Sequence, residues 1–205
     1  MKFALLSGLL LLGACSGPRV SFNKTYAFSS LKRVAVTRFE GPGGSAAADH
    51  LAHALLSSGA DVVERSRLEA LVREHRLSVS GATDARSVAE IGRLLGVDAL
   101  FFGSVTQFEP PRSYVVYTGT AAVIVGGAQE LGRTRSFVEG RPIGNGAARI
   151  LTSAARVGLT ARLVDVDTGS VVWSAHQSYE GFDIDSAIAA ISDTFAQTLQ
   201  HVWKQ

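Results

Sequence analysis

The only cysteine of the chain, Cys15, closes a short apolar run at its very start, and that placement constrains all that follows. Lys2 supplies a positive charge, Phe3 to Leu12 an apolar stretch, and Gly13-Ala14 the small residues that a signal peptidase accepts. The stretch is about half of the roughly 20 apolar residues that a helix needs to span a bilayer. A core helix would not place positive, apolar and small-residue zones in this order at the N-terminus. With its one thiol here, the rest of the chain has nothing from which to form a disulfide. Residues 15–205 must therefore be held by a hydrophobic core, and a chain of this length can bury one as a single domain.

Leu12-Gly13-Ala14-Cys15 resembles the bacterial lipobox. The resemblance implies that the thiol is diacylated, with chains such as palmitate, and that cleavage leaves the cysteine as residue one. Residues 1–14 then read as a lipoprotein signal peptide, 15–32 as a lipidated N-terminus and tether, and 33–205 as the folded domain. Each acyl chain contributes about 0.8 kcal/mol per buried methylene, so several chains anchor stably where one does not. By the same resemblance, Ser16, standing where bacterial sorting signals for inner-membrane retention carry Asp, implies an outer-membrane anchor facing the periplasm. Ser16 to Lys32 is polar and irregular, with Gly17-Pro18 and Asn23-Lys24, and as a tether would reach about 60 Å at most. Lys and Arg number 20 against 18 for Asp and Glu, a near balance that gives no electrostatic case for nucleic acid.

Along the body, Arg33 to Thr37 reads as a strand, and Ser45 as the cap of a helix that runs to Ser58 and stops at Gly59. Asp61 to Glu64 is a second strand. Ser66-Arg67-Leu68-Glu69 fits a capping box, opening a helix with Leu68, Leu71 and Val72 inward and Arg67, Arg73 and Glu74 outward. Asp84 is placed to cap a third helix through Leu95, ended by Gly96. Val97 to Phe108 reads as a strand whose run Ala99-Leu100-Phe101-Phe102 implies burial on both faces. Val157 to Val166 and Ser170 to Tyr179 form a hairpin around Asp167-Thr168-Gly169. Asp185 or Ser186 opens a last helix with Ile188, Ile191, Phe195, Leu199 and Val202 on one stripe and Trp203 near its end. The order β-α-β-α-α-β-insert-β-β-α indicates one α+β domain, a mixed β-sheet flanked by helices.

Two blocks carry a family resemblance. The run from Val63 to Glu74 and the run from Ala89 to Val105, including Gly92, Gly96 and Gly103, look like the helix and helix-strand units of the curli assembly/transport (CsgG-like) family. The hairpin Leu163 to Trp173 resembles a third block of that family, in the same order. The resemblance covers roughly Arg33 to Tyr179. It implies a lipid-anchored periplasmic domain that assembles as a homo-oligomeric ring at the outer membrane. Full curli-type pores add two membrane hairpins per subunit. One candidate is the Gly-rich insert 112–156, where Tyr114 to Val125 is long enough for a strand, although its alternation is poor and Arg133, Arg135, Glu139 and Arg141 crowd the middle of the insert. The second should follow Tyr179, where only Glu180 to Ile184 precede the last helix. The chain is therefore similar to the shorter lipoproteins of PelC and LpoB type, which carry the domain and anchor alone.

Residues suited to catalysis or metal binding do not converge in the sequence. Asp49, His50 and His53 share one helix without a further ligand, and His75, His176 and His201 stand alone. No nucleophile elbow, phosphate loop or nucleotide fingerprint is present, and Gly126-Gly127 with Gly132 lacks the strand-to-helix context. Asp165 and Asp167 flank a turn and read as turn-formers. Gly92 and Gly96 read as close-packing and helix-stop positions, and Gly103 as a point where the strand bends or another backbone approaches. The expectation is a protein that is not an enzyme and carries no cofactor and no metal, with Cys15 as its one modified residue. An insert of this length is too long for a quiet loop, and Ala121 to Val125 calls for contact with protein or lipid. Two readings remain. One is an outer-membrane-anchored lipoprotein that forms or supports an export or assembly ring for a surface fibre or polysaccharide. The other is a monomeric lipoprotein adaptor that regulates a cell-envelope enzyme.

Overall fold

The structure, a computed structural model, describes residues 17–74, 85–118, 128–130, 133–135 and 147–203. Cys15 with the signal segment, the Asp84 cap, His75 and the aliphatic run Ala121 to Val125 lie outside the described residues. In chain order the elements are β1 (Arg19–Phe22), a 3-10 turn (Phe28–Ser30), β2 (Arg33–Val36), α1 (Gly44–Ser57), β3 (Asp61–Val63), α2 (Arg65–Glu74), α3 (Ala85–Leu95) and β4 (Ala99–Glu109). They continue with β5 (Ser113–Thr118), β6 (Ala128–Glu130), β7 (Arg133–Arg135), β8 (Ala147–Thr152), β9 (Ala155–Asp165), β10 (Val171–Gly181) and α4 (Ile184–Trp203).

Six strands make one mixed sheet in the order β1-β10-β9-β4-β2-β3. β3, β2 and β4 are parallel, as their helical crossovers require, whereas β4, β9, β10 and β1 pair antiparallel. The α+β class and the helix-flanked mixed sheet are as the element order implies. β4 lies inside the sheet and serves both faces. Ala99 and Phe101 join the core under α1 and α4, while Leu100 and Phe102 join the core under α2 and α3. The predicted stripe of α4, Ile188, Ile191, Phe195, Leu199 and Val202, is buried. Phe101, Trp173 and Phe195 stack edge-to-face with centroids 6.1 and 5.8 Å apart, joining sheet to helix.

Helix ends follow their glycines. After α1, the amide of Gly59 (φ 94°) bonds to Leu56 O and that of Ala60 to Leu55 O; after α3, Gly96 (φ 64°) and Val97 bond to Arg93 O and Gly92 O. Both are Schellman closures, which satisfy carbonyls the helix leaves free. Gly92 is required by packing, because a Cβ there would collide with the Val166 side chain. Gly103 likewise faces the ring of Phe39, a side chain and not a second backbone.

The helix starts differ from expectation. α1 begins at Gly44 after Gly43 (φ 74°), with Ser45 already inside its first turn and no side-chain cap. Gly44 packs so tightly on the Phe39 carbonyl that only a residue without Cβ fits. At α2 the cap is Glu64, not Ser66: its carboxylate accepts from Ser66 Oγ and from the Arg67 amide at 3.3 Å. At α4 it is Asp183, whose Oδ1 accepts from the Ser186 amide at 2.7 Å. At α2 and α4 an acidic residue a few positions earlier reaches the free amides first. In α2, Leu68 is buried as expected, and the side chains of Leu71, Val72, Arg73 and Glu74 lie outside the description.

The largest departure is the segment read as a tether. From Arg19 onward it is part of the fold. β1 pairs along β10, with Arg19 opposite His176 and Phe22 opposite Trp173. Phe28 and Leu31 are buried, and Trp203 Nε1 donates to Leu31 O at 2.7 Å. Asp98 accepts from the amides of Lys32 and Arg33 at 2.7 and 2.9 Å. The open edge of β10 supplies what a polar, irregular sequence lacks on its own: partners for its backbone.

Candidate functional site

One end of the sheet gathers the features that the core does not explain. β4 finishes there with Glu109 opposite Arg156, β9 begins with Ala155, and β10 ends with Gly181 opposite Ala155. The insert 112–156 leaves from this end as an antiparallel ribbon of β5 and β8, registered from Ser113–Thr152 to Thr118–Ala147. Its base is closed by the Ser153 amide on Arg112 O at 2.8 Å and the Arg112 amide on Ser153 Oγ at 3.0 Å. A shorter pair, β6 and β7, lies within the same insert.

The ribbon carries apolar side chains on both faces. Tyr114 stands opposite Leu151 on one face and Val115 opposite Ile150 on the other, and all four are exposed, Ile150 at 72%. A membrane hairpin alternates apolar and polar faces, and this base does not. Of the predicted strand Tyr114 to Val125, the described part ends at Thr118. No second hairpin lies between β10 and α4, where only Phe182 and Asp183 intervene.

That two-residue turn holds the most exposed large apolar side chain among the described residues, Phe182, at 90%. Its sequence signal is no more than a lone aromatic in the polar run Glu180-Gly181-Phe182-Asp183. The first described residues, Gly17 and Pro18, line a cleft here with Arg156, Gln177, Tyr179 and Thr194. Cys15, the expected lipidation site, precedes Gly17 by two residues and lies outside the described residues.

The residues weighed for chemistry are dispersed. Asp49 pairs with Arg65 at 2.9 Å, His50 Nε2 meets Asp185 Oδ1 at 2.8 Å, and His53 is exposed. His176 shares a hydrogen bond with Thr160 Oγ1 at 3.1 Å on the sheet, and His201 is exposed on α4. Among the described residues no three His, Cys, Asp or Glu side chains form a group able to hold a metal ion. Asp165 shapes its turn, accepting from the Thr168 amide and hydroxyl at 2.8 and 2.7 Å, with Gly169 at φ 67°. Its other partner, the Tyr26 hydroxyl at 2.7 Å, has no local signal in the sequence. Burial raises the Asp165 carboxyl, but hydrogen bonds from Tyr26 and Thr168 outweigh it and hold the group below the usual range. Burial and the adjoining carboxylate together push the Tyr26 phenol well above its ordinary value.

No curated protein sequence matches the chain. Among solved structures it is similar to a PelC variant from Paraburkholderia phytofirmans, a dodecamer, at 20% identity and a TM-score of 0.47, covering 92% of this chain and 98% of that one. Lipoprotein GNA1162 from Neisseria meningitidis matches at 16% identity and 0.44, over 82% of this chain and 94% of the other. The C-terminal domain of LpoB from Salmonella enterica matches at 15% and 0.40, over 72% and 82%. The assignment rests on the sequence itself: residues 20–191 match the family of the curli production assembly/transport component CsgG. That span runs from β1 into α4, and the chain belongs to the CsgG family.

Proposed function

We propose that the protein is an outer-membrane-anchored lipoprotein that forms or supports an oligomeric export or assembly ring for a cell-surface fibre or polysaccharide. It acts without catalysis. The observation that carries this reading is the match to the CsgG family across almost the whole folded body. The lipobox-like Leu12 to Cys15 supports membrane attachment, and the exposed two-faced ribbon of β5 and β8 supports contact with other subunits. The absence of a hairpin between β10 and α4 favours a ring that supports export over a subunit that contributes two hairpins to a barrel.

The folded N-terminus bears on the adaptor alternative. Only residues 16–18 separate Cys15 from β1, so an acylated Cys15 sits within about 14 Å of the sheet edge. An adaptor that reaches across the periplasm needs a far longer leash. Native mass measurement of the detergent-extracted full chain tests the ring. The expected result is a discrete homo-oligomer, and a strict monomer at every working concentration overturns the reading.

A further inference from the structure

The helices cover the two faces of the sheet unequally. α1 and α4 close one face, with side chains from β2, β4, β9 and β10 in their core. The core beneath α2 and α3 takes Leu100 and Phe102 from β4 and Val164 from β9, and nothing from β10 or β1. Beyond it the register lays two rows of side chains across four strands. One runs Phe102–Arg162–Ser174–Ser21, the next Ser104–Thr160–His176–Arg19. The Arg162 guanidinium lies over the Phe102 ring, 5.6 Å from its centroid, and Thr160 Oγ1 shares a 3.1 Å hydrogen bond with His176 Nδ1. Apart from the buried Phe102, these rows hold cations and hydroxyls alone.

Arg19 and His176 are both exposed and stand directly opposite on neighbouring strands, about 5 Å apart along the sheet. Neither stabilises the other. Arg19 makes no ion pair among the described residues, and with Nδ1 on Thr160, His176 keeps Nε2 for a ligand. The nearest carboxylates stand at the margins. Glu40 is bridged beside Ser104 and itself engaged, Glu109 accepts from Gln107 Nε2 at 2.9 Å, and Glu180 pairs with Arg156 at 2.6 Å. None of the exposed large apolar side chains lies in the two rows. A protein partner wants such anchors and a single-stranded nucleic acid wants aromatic rings to stack on. What remains is a ligand that is anionic and rich in hydroxyls.

We propose that this uncovered face binds an acidic polysaccharide, with an acid group of the glycan held between Arg19 and His176 and its hydroxyls met by Ser21, Ser174 and Ser178. Arginine matches a planar carboxylate through two parallel N–H donors. A serine hydroxyl both donates and accepts, as a sugar hydroxyl does. The proposal rests on the export reading above and narrows its surface polymer to an acidic glycan.

The test titrates the full chain, extracted in a non-ionic detergent, with an oligogalacturonate in a calorimeter. The comparison probes are the methyl-esterified oligomer, which keeps the sugar and loses the charge, polyglutamate and inorganic phosphate. The expected result is saturable binding of the oligogalacturonate that weakens as salt rises, with the ester about tenfold weaker or worse. Arg19→Ala and His176→Ala each weaken it several-fold, and His176→Lys, which keeps a cation, weakens it less. Arg67→Ala, exposed on α2, leaves it unchanged. Equal binding of acid and ester, or an equal loss in Arg67→Ala, overturns the site. So does polyglutamate or phosphate binding as tightly as the oligomer, since the face then reads charge alone. No binding by a chain whose native mass is a discrete oligomer overturns the glycan site and leaves the ring standing. Binding by a strict monomer overturns the ring and leaves the site, and a monomer that binds nothing refutes both.

Discussion

Asp165 ties two parts of the chain with one carboxylate: the β9–β10 hairpin turn through Thr168, and the N-terminal segment through Tyr26. Its depressed folded value means that its contribution is present above the unfolded carboxyl range near 3.9 and is lost as pH falls through the folded value. Asp165→Asn should therefore cost about 1–3 kcal/mol at neutral pH. The unfolding curves of wild type and variant should converge below about pH 4, measured by denaturant titration at several pH values. Equal separation at all pH values would show that the ionised form contributes nothing. Only the turn half of this residue's role was legible in sequence, since Asp-x-x-Thr-Gly is a local pattern. The Tyr26 bond spans 139 positions and leaves no trace in any short window.

At the scale of elements, helix stops were read better than helix starts. Gly59 and Gly96 act where they stand, because positive φ is a property of the glycine itself. A start has several polar candidates within one turn, and geometry selects among them. At α4 the chosen residue was Asp183, ahead of Asp185 and Ser186. The Ser186 amide bond holds the Asp183 carboxyl below its usual range, so the ionised cap persists to lower pH than a free aspartate would. Asp183→Ala should lower the thermal midpoint followed by circular dichroism. Asp183→Asn, which retains the capping oxygen, should lower it less. Equal losses for the two would assign the effect to charge alone. The ribbon was legible as an insert with strand potential, whereas its two-sided apolar base emerged only from the β5–β8 register.

Across the whole molecule, the N-terminal segment belongs to the body that it was expected to tether. Phe28 is 5% exposed and packs in the main core with Tyr26 edge-on at 5.0 Å. Phe28→Ala should destabilise by about 3–5 kcal/mol in chemical denaturation, whereas a residue on a free leash would cost nothing. The consequence for function is geometric. A chain folded from Arg19 keeps its body close to any membrane that holds Cys15, and places the turn at Phe182 on the same side.

Local pattern alone determined much of this protein: the lipobox-like start, the α+β order, the double-sided burial of β4 and the apolar stripe of α4. These signals lie in periodicity and in residues whose backbone preferences are their own. Tertiary structure decided which acidic side chain caps each helix, that Arg19–Phe22 becomes an edge strand, and that Tyr26 closes on Asp165. It also decided that the ribbon, the N-terminus and Phe182 share one end of the sheet. The physical reason is common to all of them. Each depends on partners distant in sequence or on competition among neighbours, and that competition is resolved only when the sheet brings the partners within hydrogen-bonding or packing distance.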